Sequence, residues 1–127
     1  MPKRKKKTVL LVDDEALWLK VGKQILTEQG FRTLTVTSGE EALRTLRKET
    51  PDVLITDVRM PVMNGFDLYR KVRENPDWQK LPIIFLSAVD DYDAKKVARD
   101  LGATGYIPKP FDTEYLRQAM NDMLKKL

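Results

Sequence analysis

The chain has 127 residues, 42% of them hydrophobic and 33% charged, which describes one globular domain and excludes a disordered or collagen-like polypeptide. Cysteine and histidine are both absent, so disulfide scaffolds, thiol nucleophiles, Ser-His catalysis and every Cys- or His-ligated metal site are excluded, and any metal must be held by oxygen. The net charge of +4 is local: Lys3, Arg4, Lys5, Lys6 and Lys7 are among the 23 basic residues, and without them 18 basic residues stand against 19 acidic ones.

Residues 1–7 read as a basic, disordered tail, either solvated or touching an anionic partner, and nucleic-acid binding by the folded body is not expected. Only five apolar or β-branched residues follow before Asp13-Asp14, too few for a signal peptide or a membrane span, so a cytoplasmic, non-membrane protein is expected. That first strand run, residues 8–12, is succeeded by runs at 31–36, 53–56, 83–87 and 105–107, each separated from the next by a segment of helical periodicity. Gly30 sits where the first helix should end, and Ser38 with Glu41 forms a capping-box pattern opening the second. Pro61-Val62-Met63-Asn64-Gly65 follows the third strand as a turn, with Gly65 read as the residue tolerating positive φ. Gly102 should end the fourth helix. The last helix carries Leu116, Ala119, Met120, Met123, Leu124 and Leu127 on one apolar face. Pro51, Pro61, Pro76, Pro82, Pro108 and Pro110 are all expected between elements or at their edges, where a missing N–H costs least. The third and fourth strands read VLI and PIIFL with almost no polar alternation, the pattern of strands covered on both faces. Five βα units in succession therefore predict a doubly wound α/β domain, a three-layer (βα)5 sandwich around a parallel sheet.

In such sheets the ligand crevice lies beyond the carboxyl ends of the strands. The first strand is followed there by Asp13-Asp14, the third by Asp57, the fourth by Ser87-Ala88 and the fifth by Lys109-Pro110. Singly these are ordinary cap, loop and surface residues. Jointly, three carboxylates on one rim repel unless a cation joins them. An oxygen donor set of this kind suits Mg²⁺, or Mn²⁺ in its place, and Mg²⁺ usually serves phosphate chemistry. Asp57 is the best candidate for a nucleophile that forms an aspartyl phosphate, with a metal and Lys109 neutralising the developing charge. It stands alone on the central strand, whereas Asp13 and Asp14 are adjacent and better suited to share the metal.

The segments VLLVDDE at 9–15, DVLITDVRMPVMNG at 52–65, PIIFLSA at 82–88 and GATGYIPKPF at 102–111 occur in order, with 43, 30 and 22 residues separating Asp14, Asp57, Ser87 and Lys109. Residues 8–127 thus resemble the receiver domain of two-component response regulators, of the chemotaxis-regulator kind. The resemblance implies a flavodoxin-like sheet in strand order 2-1-3-4-5. It implies that Asp57 accepts phosphate, that Asp14, Asp57 and the Arg59 carbonyl ligate Mg²⁺ directly, and that Asp13 acts through water. Lys109 would pair with a phosphoryl oxygen, Ser87 would donate a hydrogen bond to another, and Tyr106 would swing inward as Ser87 moves. It also implies a cis peptide bond before Pro110, and places Arg59 and Val89 beside the path of the hydrolytic water, where they would slow dephosphorylation unless Arg59 salt-bridges locally.

The implied activity is a switch: phosphate from a sensor histidine kinase or phosphotransfer protein changes a surface read by a downstream effector or output domain. Such a chain is not a conventional enzyme, since it catalyses only its own aspartyl phosphorylation and dephosphorylation. The face carrying Lys95, Lys96, Arg99 and Arg117 beside Asp91, Asp93, Asp100 and Asp112 is either plain solvated surface or a partner site, including that of a phosphorylation-dependent homodimer. A haloacid-dehalogenase-type enzyme would want an Asp where Arg59 stands, and an FMN carrier would want a phosphate loop where Asp13-Asp14 would repel phosphate. A receiver-like module that only binds partners would not need the intact acidic, hydroxyl and Lys set. With no output domain after Leu127, either a stand-alone receiver or a fragment of a longer regulator is expected.

Overall fold

The computed structural model describes residues 6–125. Residues 1–5, which hold most of the expected basic tail, and Leu127 of the expected apolar face lie outside the described residues. Lys6 and Lys7 are exposed, and the Lys7 carbonyl accepts the Arg32 N–H at 2.9 Å, so pairing with the second strand starts one residue before the first strand does.

Five strands alternate with five helices: β1 (Thr8–Val12), α1 (Ala16–Glu28), β2 (Arg32–Val36), α2 (Gly39–Lys48), β3 (Val53–Asp57), α3 (Gly65–Glu74), β4 (Ile83–Ala88), α4 (Tyr92–Leu101), β5 (Gly105–Lys109) and α5 (Thr113–Leu124), with a short 3₁₀ turn at Pro76–Trp78. All strand pairs are parallel and the order is β2-β1-β3-β4-β5. The expected doubly wound architecture is the one observed.

The period of two along each strand builds two cores. Leu10, Val12 and Leu54 point to one face, where Ala42 and Leu46 of α2, Phe66, Leu68 and Val72 of α3, and Ala94 and Ala98 of α4 cover them. Val9, Leu11, Val53 and Ile55 point to the other, beneath Leu19, Ile25 and Leu26 of α1 and Leu116 and Met120 of α5. Every residue of β1 and β3 is buried as a result. The strand order reverses direction at β1 and β3, and the crevice at that switch point is where the candidate residues emerge.

Several local readings need correction. Pro108 lies inside β5, not at an edge of an element; it is tolerated because β5 is the last strand of the sheet and has a neighbour on one side only. Gly65 does not take positive φ. The left-handed residue of that turn is Val62, at φ 70°, with the Met63 N–H reaching back to the Pro61 carbonyl at 2.8 Å. Gly65 is needed for space, since a Cβ there would stand 2.3 Å from the Asp57 carbonyl oxygen. The Ser38 pattern is half a capping box: Ser38 Oγ accepts the Glu41 N–H, but the Glu41 carboxylate takes the Thr37 hydroxyl instead of the Ser38 N–H. The reciprocal box occurs at Asn64 and Asp67, opening α3. Gly30 and Gly102, at φ 106° and 77°, follow α1 and α4 where helix ends were expected.

Candidate functional site

Because adjacent parallel strands end nearly level, β1, β3, β4 and β5 deliver Asp13, Asp57, Ser87 and Lys109 to one rim. The strands reach further than the apolar runs suggest: β3 includes Asp57 and β5 includes Lys109, so both side chains sit on rigid ladder positions. All four are buried, Asp13 wholly and Lys109 with 8% exposure. Asp14 and Glu15 follow on the exposed loop into α1.

The Lys109 ammonium is the hub. It donates to Asp13 Oδ2 at 2.8 Å, lies 3.2 Å from Asp57 Oδ1, and reaches Glu15 Oε1 at 3.4 Å. The peptide bond from Lys109 to Pro110 is cis. Asp13 holds the loop in place by accepting the Glu15 N–H at 2.9 Å. Burial, and then the neighbouring Asp13 charge, push the Asp57 carboxyl up to about 6 despite Lys109 beside it. Burial raises Asp13 as well, against the Lys109 hydrogen bond. For Lys109 burial works to lower the pKa, but the hydrogen bond to Asp13 and the Asp57 charge outweigh it and the net direction is up.

Asp13, Asp14, Glu15 and Asp57 each offer a carboxylate oxygen within 4.8 Å of the others. Four carboxylates face the ammonium of Lys109, and two of them, Asp13 and Asp57, are buried and pushed toward protonation by burial first and by neighbouring carboxylates second. A hard divalent cation fits this all-oxygen set and would relieve that repulsion. The adjoining cleft, of about 300 Å³, is lined by Glu15, Trp18, Asp57, Arg59, Ser87 and Lys109 among others. Carboxylates gathered around an ammonium, with a hydroxyl lining the same cleft, can hold a cation together with a tetrahedral anion.

Arg59 and Ser87 meet at Asp91, a residue read from sequence only as part of a charged face. Arg59 grips the Asp91 carboxylate with two hydrogen bonds, of 2.9 and 3.1 Å, and Ser87 Oγ donates to it at 3.2 Å. This is the local salt bridge left open as an alternative for Arg59. Val89 is exposed. Tyr106 is half-buried on the edge strand. Its hydroxyl is fully buried near Ser87 and Asp91 without hydrogen-bond geometry to either, and burial raises its pKa, offset in part by the Ser87 hydroxyl.

Sequence reasoning also missed Glu15 and Trp18. Glu15 continues the Asp13-Asp14 run, a signal that was available. Trp18 lies one helical turn beyond Asp14 and so faces the same cleft. Its ring packs at 4.9 Å against Phe111 with the planes inclined by 43°, and stands 5.6 Å from the Lys109 ammonium.

Comparison with known proteins gives a single family. The model of the response regulator receiver domain matches residues 9–121. The chain is 39% identical over 104 residues to the DNA-binding transcriptional regulator NtrC of Klebsiella pneumoniae, covering 82% of this chain and 22% of that protein. It spans about half or less of the curated relatives it matches. Among solved structures, the chemotaxis response regulator CheY4 of Vibrio cholerae superposes with a TM-score of 0.86 at 33% identity, covering 94% of this chain and 99% of that one. The receiver domain of the sensor histidine kinase PA1611 from Pseudomonas aeruginosa, solved with a magnesium ion coordinated in its active-site cleft, superposes with a TM-score of 0.85 at 26% identity, covering 95% and 99%.

Proposed function

The chain belongs to the response regulator receiver family, and from that premise we propose that it is a phosphorylation-controlled signalling switch whose acceptor is Asp57. The observation that carries this reading is the Lys109 ammonium bridging Asp13 and Asp57 at the head of the cleft, with the Asp57 carboxyl pushed up by burial and like charge. Asp57 is the proposed nucleophile because it lines the cleft from the central strand with only one of its oxygens against the Lys109 ammonium.

In the proposed reaction an Asp57 oxygen bonds to the phosphorus of a phosphohistidine, the P–N bond breaks, and its electron pair returns to the imidazole nitrogen, which takes up a proton. Asp14, Asp57 and the Arg59 carbonyl would hold Mg²⁺ or Mn²⁺, with Asp13 as a more distant partner. Bound there, the cation would neutralise charge developing on the phosphoryl oxygens. Lys109 takes one phosphoryl oxygen and Ser87 turns its hydroxyl to another. Hydrolysis reverses the modification: water attacks phosphorus and the Asp57 carboxylate leaves. No other substrate is acted on.

The donor is a sensor histidine kinase or phosphotransfer protein, and the recipient of the signal is an effector or output domain. A receiver in a sensor kinase and a DNA-binding regulator among the similar proteins support both ends of that relay. The surface proposed to change is the face of α4, β5 and α5, through Ser87 and Tyr106, and a phosphorylation-dependent homodimer is one use of it. Incubation with phosphoimidazole and Mg²⁺ should add one phosphoryl group to the intact mass, and Asp57→Asn should abolish the gain; labelling of that variant at the wild-type rate would remove the assignment.

A further inference from the structure

Ser87 carries one hydroxyl proton, and in this structure that proton is already committed. It goes to Asp91 Oδ2 at 3.2 Å. The same oxygen receives Arg59 Nε at 2.9 Å, while Asp91 Oδ1 receives Arg59 Nη2 at 3.1 Å and the Ala94 N–H at 3.2 Å. An ionised carboxylate has about four acceptor positions, and here all four are filled. The three residues that supply these four donors all belong to places a phosphoryl switch would use. Arg59 is two residues beyond Asp57, Ser87 is the hydroxyl on the rim, and Ala94 is in the first turn of α4, which Asp91 caps.

We propose that the Arg59–Asp91 ion pair is a latch that sequesters the Ser87 hydroxyl and thereby sets how tightly the rim captures a tetrahedral phosphoryl group. This rests on the reading of Asp57 as acceptor. A phosphoryl oxygen can gain the Ser87 hydrogen bond only if Asp91 gives it up, so the two anions compete for one proton. Arg59 moderates the competition by drawing charge from the Asp91 carboxylate. Without Arg59 that carboxylate would accept more strongly from Ser87 and would stand uncompensated beside the incoming anion. Asp91 and Arg59 are positioning residues here: neither needs to touch the phosphoryl group. The pairing is also what ties the event to α4, since the group that loses the Ser87 bond is the cap of that helix.

The two halves of the latch should act with opposite sign. The probe is beryllofluoride, a tetrahedral phosphoryl mimic, titrated in Mg²⁺ and followed by the fluorescence of Trp18, which lines the cleft. Asp91→Ser keeps a cap for α4 but is too short to reach Ser87 or Arg59, and it should tighten binding about fivefold, the scale of one hydrogen bond. Arg59→Met keeps the backbone carbonyl and the apolar stem, and should weaken binding several-fold. The double variant should match Asp91→Ser within about twofold, because Arg59 acts only through Asp91. Asp91→Asn, which also retains the cap, should shift affinity in the same direction as Asp91→Ser if that variant folds poorly. Unchanged or weakened binding in both Asp91 variants would overturn the latch, as would an Arg59→Met loss that persists in the double variant, the sign of direct contact with the anion. Absence of binding by the unmodified protein would instead remove the acceptor reading beneath it.

Discussion

Asp57 is 4% exposed, and ionising it in place is costly. Its carboxyl is pushed from 3.8 to about 6 by burial and by Asp13, so between these values the folded chain binds a proton that the unfolded chain has released. Stability from this group is therefore present below about pH 4 and is lost as pH rises through about 6. Asp57→Asn removes the charge and keeps the shape. In EDTA it should be more stable than the parent at pH 7, by on the order of 1 to 3 kcal/mol, and the difference should vanish near pH 4 in denaturant titrations. Equal stability at pH 7 would mean that Lys109 already balances the charge. Asp91 is opposite in sign: the Arg59 hydrogen bond holds its carboxyl down to about 2, so its pairing survives throughout that range. Asp13, Asp14, Asp57, Ser87 and Lys109 were legible in the sequence because each ends an apolar run or follows one within two residues. Asp91 was not, because its partner lies 32 residues away and the contact exists only once β3 and β4 are adjacent.

Elements are held to the site by close backbone approach. At Gly65 a Cβ would stand 2.3 Å from the Asp57 carbonyl oxygen and 3.0 Å from Val58 Cα, and neither backbone atom can yield without moving the end of β3. Gly65→Ala should thus cost more than about 2 kcal/mol, the scale of overpacked cores, and should weaken Mg²⁺ binding as well. Gly39 offers a control. The atoms nearest to a Cβ there all belong to the Met63 side chain, with Sδ at 2.5 Å, and a flexible thioether can turn aside. Gly39→Ala should change the melting temperature far less; comparable losses in the two variants would contradict the distinction. The α3 capping box is a third handle, with Asn64→Ala expected to cost about 1 kcal/mol. Periodicity and turn residues placed the strands and most helices, since these depend on local pattern. They misassigned Gly65 and Pro108, since a steric approach between elements and an edge position in a sheet are tertiary properties.

At the scale of the whole molecule, the excess of carboxylates over cations at one end of the sheet would tie folding to the proposed cation. Mg²⁺ at tenfold above its dissociation constant should add about 1.4 kcal/mol, raising the melting temperature by roughly 5 °C. Asp14→Ala should blunt that rise, and a melting temperature unmoved by millimolar Mg²⁺ would count against a cation site. The layered architecture was legible because uninterrupted apolar strands admit few arrangements other than a covered parallel sheet. The strand order came from motif resemblance, as periodicity does not encode which strands are neighbours. The central claim is that Asp57 is where the phosphoryl group resides, and reductive trapping tests it most directly. Borohydride reduces an acyl phosphate to the alcohol, so after treatment with phosphoimidazole and Mg²⁺ peptide mass spectrometry should find homoserine at position 57 and unaltered aspartate at 13 and 14. Homoserine at either of those positions, or at none of the three in a chain that has gained phosphate, would contradict the account.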